Sequence, residues 1–259
     1  MYDPIIKEDI LKILNKKLDI NVFESIDSTN DYLKQRTVDL IDGMTVIANS
    51  QTSGRGRMNR EFYSPKDTGI YMSIYISCEK NINNTSFATA FVALAVCKAI
   101  KKCCNISPQI KWVNDILINS KKVCGILSEG VFDNNTNKLR GIIFGIGINV
   151  YEPLNGFPNS LIDIAGAIVH KKEYGLRNHL IGTIINEVTN WDKAIEEIEF
   201  INEYKKLNLT IGREIEIISI DGKQDALAVD IDNQCRLIVK YSNGNVSCVN
   251  SGEVKIKHK

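Results

Sequence analysis

Apolar residues recur along this 259-residue chain at two periods, and the switches between them mark its elements. Ile6, Ile10, Leu11, Ile13 and Leu14 keep helical spacing and predict a short amphipathic helix. Val22 to Ser25 reads as a strand, and Ser28-Thr29-Asn30 then caps a helix running to about Arg36. Strands are expected at Met44 to Ala48 and at Gly69 to Ser77, the latter rich in β-branched and aromatic residues. Ser86 to Cys104 carries Ala, Val and Leu at the density of a buried helix. Gln109 to Ile118, Val123 to Phe132 and Arg140 to Val150 follow as strands, the last two joined across the turn-rich 133–138 as a hairpin. Leu176, Leu180, Ile184, Val188, Trp191, Ile195 and Ile198 return to helical spacing, predicting one or two helices over 176–206 with Gly182 as a weak point. From Thr210 the pattern becomes short alternating strands with Asp221-Gly222 and Asn243-Gly244 turns, which predicts a small all-β barrel. An α/β (α+β) domain over 1–208 with a barrel over 209–259 is the expected organisation.

Bulk properties narrow the partners. With 44% hydrophobic and 24% charged residues the composition is that of a globular protein. The net charge of +1 provides no global attraction for nucleic acid or an anionic membrane. No segment approaches the ~20 apolar residues of a membrane span, and Met1-Tyr-Asp-Pro lacks the features of a signal peptide. A cytoplasmic location is expected. Seven cysteines, an odd number with no Cys-x-x-Cys pair, fit that location, and most lie in apolar runs where a reduced thiol acts as a small hydrophobe. His170, His179 and His258 are scattered, with no pairing that marks a metal site or a catalytic triad.

Against this neutral background, three of the eight arginines fall within six residues, in Gln51-Thr-Ser-Gly-Arg-Gly-Arg-Met-Asn-Arg60. Gly54 and Gly56 let a backbone approach a ligand closely. Arg55, Arg57 and Arg60 supply planar, always-charged forks suited to carboxylate or phosphate. The stretch admits two readings, a solvated or RNA-binding basic loop and a clamp for a small anion; the neutral net charge favours the clamp. Lys111-Trp-Val-Asn-Asp115 places three polar residues at the end of an apolar strand, where they cost desolvation unless they serve a ligand. Lys122 opens the Lys122-Val-Cys-Gly-Ile-Leu127 strand, thinned at Gly125 for close approach. Gly145-Ile-Gly-Ile-Asn149 starts like a dinucleotide fingerprint, but Val150 stands where the third glycine belongs and no helix follows. No Gly-x4-Gly-Lys-Ser/Thr motif exists either, so any nucleotide binds by another architecture.

Taken in order, these segments resemble the biotin protein ligase family. That family shows Ser-Thr-Asn, a Gly-Arg-Gly-Arg-x-Gly-Arg loop followed by aromatic-x-Ser-Pro, Lys-Trp-Pro-Asn-Asp, Lys-x-x-Gly-Ile-Leu and Gly-x-Gly-x-Asn. This chain has Ser28-Thr29-Asn30, Gly54 to Arg60 with Phe62-Tyr-Ser64-Pro65, Lys111 to Asp115, Lys122 to Leu127 and Gly145 to Asn149, and its tail carries Ser251-Gly252-Glu253 where the family has Gly-Gly-Glu. Asn59 replaces the loop's third glycine, Phe62 its tryptophan and Val113 the proline.

The resemblance implies a mixed-sheet, class II synthetase-like catalytic domain with a C-terminal SH3-like β-barrel. The monofunctional type is expected, since the residues before the first motif are too few for a DNA-reading domain. It implies that biotin and Mg2+-ATP give biotinyl-5′-AMP, and that biotin then passes to a lysine of a biotin carboxyl carrier protein domain. Lys111, Arg57 and Asp115 are the implied catalytic residues. Ser28, Thr29, Asn30, Gln51, Gly54, Arg55, Gly56, Arg57, Lys111 and Gly125 are implied for biotin; Arg57, Arg60, Phe62, Asn114, Lys122, Gly147 and Asn149 for ATP and the adenylate. No DNA and no membrane are expected, and the family often forms homodimers through its central sheet. Two other readings stay open: a lipoate or octanoate ligase of the same fold, and a biotin-responsive regulatory binding protein.

Overall fold

The computed structural model describes residues 2–77, 85–133, 135–191, 198–219, 222–250 and 252–257. Expectations that fall on Cys78, Asn134, Ile195, Asp221, Ser251 and His258 lie outside them. Alternation through β3 (Gly69–Ser77) decides how the larger layer is built. Ile70, Met72, Ile74 and Ile76 enter the main apolar core, while Tyr75 on the opposite face joins a second cluster with Leu33, Val46 and Ile143. Both faces of this strand are covered, which is why it reads as a continuous apolar run.

β3 sits inside a seven-stranded mixed sheet. Its other strands are β1 (Ile20–Phe23), β2 (Thr45–Ala48), β4 (Gln109–Lys111), β5 (Asp115–Ile118), β6 (Lys121–Phe132) and β7 (Leu139–Asn149), and the order is β1-β2-β3-β7-β6-β5-β4. Only the β1–β2 pair is parallel. The single strand expected over 109–118 is two, because 112–114 turn; the Trp112–Val113 peptide there is cis. The predicted hairpin forms, with Asp133 N donating to Lys138 O at 2.8 Å.

One face of the sheet carries α1 (Lys7–Ile13), α3 (Thr85–Cys104), α4 (Leu176–Val188) and α5 (Ile198–Leu207). Each isoleucine fully buried there stabilises the fold by roughly 1.5–3 kcal/mol. Gly182 is no weak point: it lies mid-α4, and a Cβ on it would stand 2.7 Å from Ile13 Cγ2, so the missing side chain admits α1. The N-terminal segment is tied down by a buried network in which Arg177 donates to the Asp3 carbonyl and to Asn49 Oδ1 (2.8 Å), while Tyr151 Oη donates to the Asp3 carboxylate at 2.8 Å. The short helix α2 (Thr29–Lys34) covers part of the opposite face against β2, β3 and β7.

After Thr210 the chain forms β8 (Glu214–Ser219), β9 (Gly222–Ile231), β10 (Leu237–Lys240), β11 (Val246–Val249) and β12 (Glu253–Ile256), an antiparallel sheet in the order β11-β10-β9-β8-β12. Trp112 docks this unit onto the larger layer: it is 2% exposed, its Nε1 donates to Cys235 O (2.9 Å), and its backbone N–H to Thr210 Oγ1 (2.9 Å). Cys97, Cys124 and Cys235 are buried as expected, whereas Cys103 and Cys104 are half-buried and Cys248 is exposed.

Candidate active site

Register across the sheet gathers three glycines into one patch of floor. Tyr71 on β3 pairs with Gly147 on β7, Gly147 with Gly125 on β6, and Gly125 with Asp115 on β5. The neighbouring row runs from Ser73 to Gly145 to Leu127. The glycines of the failed dinucleotide fingerprint therefore serve the sheet face. A Cβ on Gly147 would come within 2.5 Å of the Phe62 ring, so that ring can lie on the strand only because glycine is there.

Above this floor, between α2 and the Arg/Gly loop, lies a cavity of about 320 Å³, a size suited to a small-molecule ligand. All the sequence-predicted site residues except Gly54 and Lys111 line it. Gly54 supports the loop from behind, its carbonyl accepting from Phe62 N at 2.8 Å. Lys111 faces Asp115 at 3.9 Å, and it is Lys122, 2.6 Å from the same carboxylate, that reaches the cavity wall. The reason is the 112–114 turn, which puts Lys111 and Asp115 side by side on adjacent strands and leaves Gly125 and Lys122 on the cavity side.

The two ends of the cavity differ in chemistry. At one end the buried Ser28, Thr29 and Asn30 form the start of α2, with Ser28 Oγ accepting from Asp31 N. Gln51 Oε1 accepts from Thr29 N (2.9 Å) and Thr29 Oγ1 (3.1 Å), and Gln51 Nε2 donates to Ser64 Oγ at 3.0 Å. This is a neutral, hydrogen-bonding pocket. At the other end Arg57 donates to Asn114 Oδ1 (2.8 Å) and Gly252 O (2.8 Å) beside the Lys122–Asp115 pair. Burial draws the Arg57 pKa below the ordinary arginine value, against the charges of Asp115 and Glu253, but a guanidinium stays charged in this setting. The far wall comes from the 151–168 stretch, where Lys122 N donates to Ile164 O at 2.7 Å.

The Arg/Gly loop is anchored through its arginines. Arg55 pairs with Asp31 at 2.7 Å, and Arg60 meets both oxygens of Glu253 at 2.9 and 2.7 Å. Left-handed backbone falls on Met58 (φ 54°), one residue before the Asn59 that stands at the expected glycine position. Asp31, Glu129 and Glu253 were not among the predicted site residues. Glu129 had a signal, since it continues the alternation of Gly125 and Leu127 on β6. Burial pushes its carboxyl up, but hydrogen bonds from Lys34 and Asn30 and the charges of Lys34 and Arg55 outweigh this and hold it below the usual carboxylate range. Among the described residues no group of three His, Cys, Asp or Glu side chains gathers as a metal site, and no helix is long and apolar enough to cross a membrane.

The fold has known counterparts. A biotin protein ligase from Aquifex aeolicus in complex with biotin and ATP superposes with a TM-score of 0.77 at 23% identity, covering 93% of this chain and 99% of that one. The fold is thus that of a mixed α/β domain with an appended β unit. Residues 22–149 match the biotin/lipoate A/B protein ligase family, and residues 210–256 the biotin protein ligase C-terminal domain. The chain belongs to the biotin/lipoate A/B protein ligase family. It is 31% identical over 211 residues to the bifunctional ligase/repressor BirA of Bacillus subtilis, covering 78% of this chain and 63% of that protein's length. It is 26% identical to a biotin–[acetyl-CoA-carboxylase] ligase of Mycobacterium tuberculosis, across 83% of this chain and 79% of that one.

Proposed function

We propose that this chain is a biotin protein ligase: it joins biotin to ATP as biotinyl-5′-AMP and transfers biotin to a lysine of a biotin carboxyl carrier protein domain. The observation that carries the reading is the cavity's polarity, a neutral hydrogen-bonding end at Ser28–Asn30 and Gln51 and a cationic end at Arg57 and Lys122 along one glycine floor. A ureido ring needs both donors and acceptors, which the neutral end supplies. A lipoyl or octanoyl group would leave those buried polar groups unpaired, which disfavours the lipoate ligase alternative.

In the first step the biotin carboxylate attacks the α-phosphorus of ATP, the bond to the β-phosphate oxygen breaks, and pyrophosphate leaves. Two anions must meet, and fixed cations relieve that repulsion most in the transition state. Lys122 is placed for the carboxylate–phosphate junction, with Asp115 holding its Nζ in position; this proposal puts Lys122 at the reacting centre, where the resemblance implies the catalytic Lys111. Arg57 supplies the second cation. Arg60 contributes to phosphate binding by exchanging Glu253 for a phosphate oxygen. Mg2+ arrives as part of the Mg-ATP substrate, in keeping with its preference for phosphate and water oxygens. In the second step the neutral carrier lysine attacks the acyl carbon, forming the amide, and AMP departs. Phe62 and the Arg/Gly loop shield the hydrolysis-prone anhydride from water.

The six described cysteines are all free, in keeping with a reducing compartment, and we assign the protein to the cytoplasm. Neither DNA nor a membrane figures among the proposed partners, and a homodimer through the central sheet is the proposed assembly. The test is incubation with biotin, Mg-ATP and a biotin carboxyl carrier domain: the mass of one biotinyl group should appear on a single carrier lysine. No gain, or gain of a lipoyl group when lipoate is offered instead, overturns the reading.

A further inference from the structure

Asn30 lines the neutral end of the cavity, yet its polarity is set from outside it. Its Nδ2 donates to Glu129 Oε2 at 2.8 Å, and its Oδ1 accepts from Ser73 Oγ at 2.5 Å. Asn30 and Ser73 are buried, at 4% and 0% exposure, and neither Glu129 nor Ser73 is on the cavity wall. An ionised carboxylate only accepts, so Glu129 admits a single orientation of the Asn30 amide. Lys34 Nζ, 2.8 Å from Glu129 Oε1, and the nearby Arg55 keep that carboxylate ionised.

Ser73 Oγ has one proton, which goes to Asn30 Oδ1, and it lies 2.7 Å from Thr29 Oγ1. Further along, Thr29 N donates to Gln51 Oε1, Gln51 Nε2 to Ser64 Oγ, and Ser64 Oγ to Phe62 O at 2.8 Å. Asn30 retains one N–H and one oxygen lone pair for a ligand. If the amide turned over, these two would exchange places, and the pocket would present the opposite pattern of donor and acceptor.

We infer that Glu129 is a specificity-determining positioning residue: by fixing the Asn30 amide it sets the order of donors and acceptors offered to the ligand's head group. The inference rests on the proposed biotin-ligase function and adds to it a residue that touches no substrate. Glutamine at 129 offers both a donor and an acceptor, so it satisfies either orientation of Asn30 and removes the constraint.

The test uses biotin and 2-iminobiotin, a cyclic guanidine in which a nitrogen donor replaces the ureido carbonyl acceptor. Dissociation constants of both are measured by calorimetry on the full chain, and the ratio between them is the readout. Glu129→Gln should shrink the wild-type preference for biotin about tenfold, the scale of a hydrogen bond to a charged group. The KM for ATP should not change. Lys34→Met removes the ion pair but leaves the carboxylate on Asn30, so its ratio should stay within about twofold of wild type, as for a surface ion pair. Glu129→Asp withdraws the carboxylate from Asn30 and should move the ratio in the same direction as Glu129→Gln, which supplies the test if the glutamine variant melts early. An unchanged ratio in both Glu129 variants that still bind biotin overturns the inference, as does an equal loss in Lys34→Met. A wild-type protein that binds neither compound instead overturns the biotin reading itself.

Discussion

Replacing Lys122 by glutamine should abolish most adenylation while the same change at Lys111 leaves it nearly intact. Both lysines lie beside Asp115, at 2.6 and 3.9 Å, and both are largely buried, but only Lys122 reaches the cavity. A unit charge 4 Å from an anion is worth roughly 4 kcal/mol at an effective dielectric of 20. The Lys122 side chain is 32% exposed, so solvent screening reduces this by about half, to ~2 kcal/mol, or roughly a thirtyfold loss in rate. Lys111→Gln removes a cation that acts only through Asp115, and less than a threefold loss is expected. The assay is biotin-dependent pyrophosphate release at saturating substrates, with melting curves for both variants. If Lys111→Gln loses as much as Lys122→Gln while both remain folded, the assignment of the junction cation is wrong.

Three further outcomes follow from the geometry. Gly147→Val places a side chain where even a Cβ would stand 2.5 Å from the Phe62 ring; overpacking costs about 1–3 kcal/mol, and displacement of Phe62 should raise the KM for both biotin and ATP in steady-state assays. Asp3→Ala leaves Arg177, 1% exposed, without its carboxylate. Breaking such a buried pair costs about 3–5 kcal/mol, and at 2–4 °C per kcal/mol the calorimetric Tm should fall by about 10 °C. Glu129 has a folded pKa below its unfolded value, so its stabilisation is complete above about pH 4.3 and is lost as pH falls through the folded value. Wild type should therefore lose more stability than Glu129→Gln on acidification from about pH 5 to 3, read by urea denaturation.

Much of this architecture was legible in the residues because its causes are local. The apolar run at 69–77 could be placed as a strand because both of its faces are buried, that at 140–150 because Ile142, Phe144, Ile146 and Ile148 alternate into the core, and the Ser28 cap announced α2. Contacts that depend on register or on distant chain were not legible. The proposed preference for Lys122 over Lys111 turns on the 112–114 reversal, which a continuous strand pattern over 109–118 does not show. Arg60 finds its partner Glu253 193 residues away, and no local pattern encodes that meeting. Gly145 and Gly147 drew attention as a broken phosphate-loop motif, whereas their purpose is visible only once Gly125 and Phe62 are set against them. Gly182 looked like a helix breaker because its packing partner, Ile13, lies in another helix.

Biotin-dependent exchange of labelled pyrophosphate into ATP, measured without any carrier protein, tests the central claim most directly because it isolates the first step in the cavity. The account predicts exchange that requires biotin and Mg2+ and is lost in Lys122→Gln. Exchange supported by lipoate or octanoate but not by biotin, or none with any of the three in a folded protein, would contradict it.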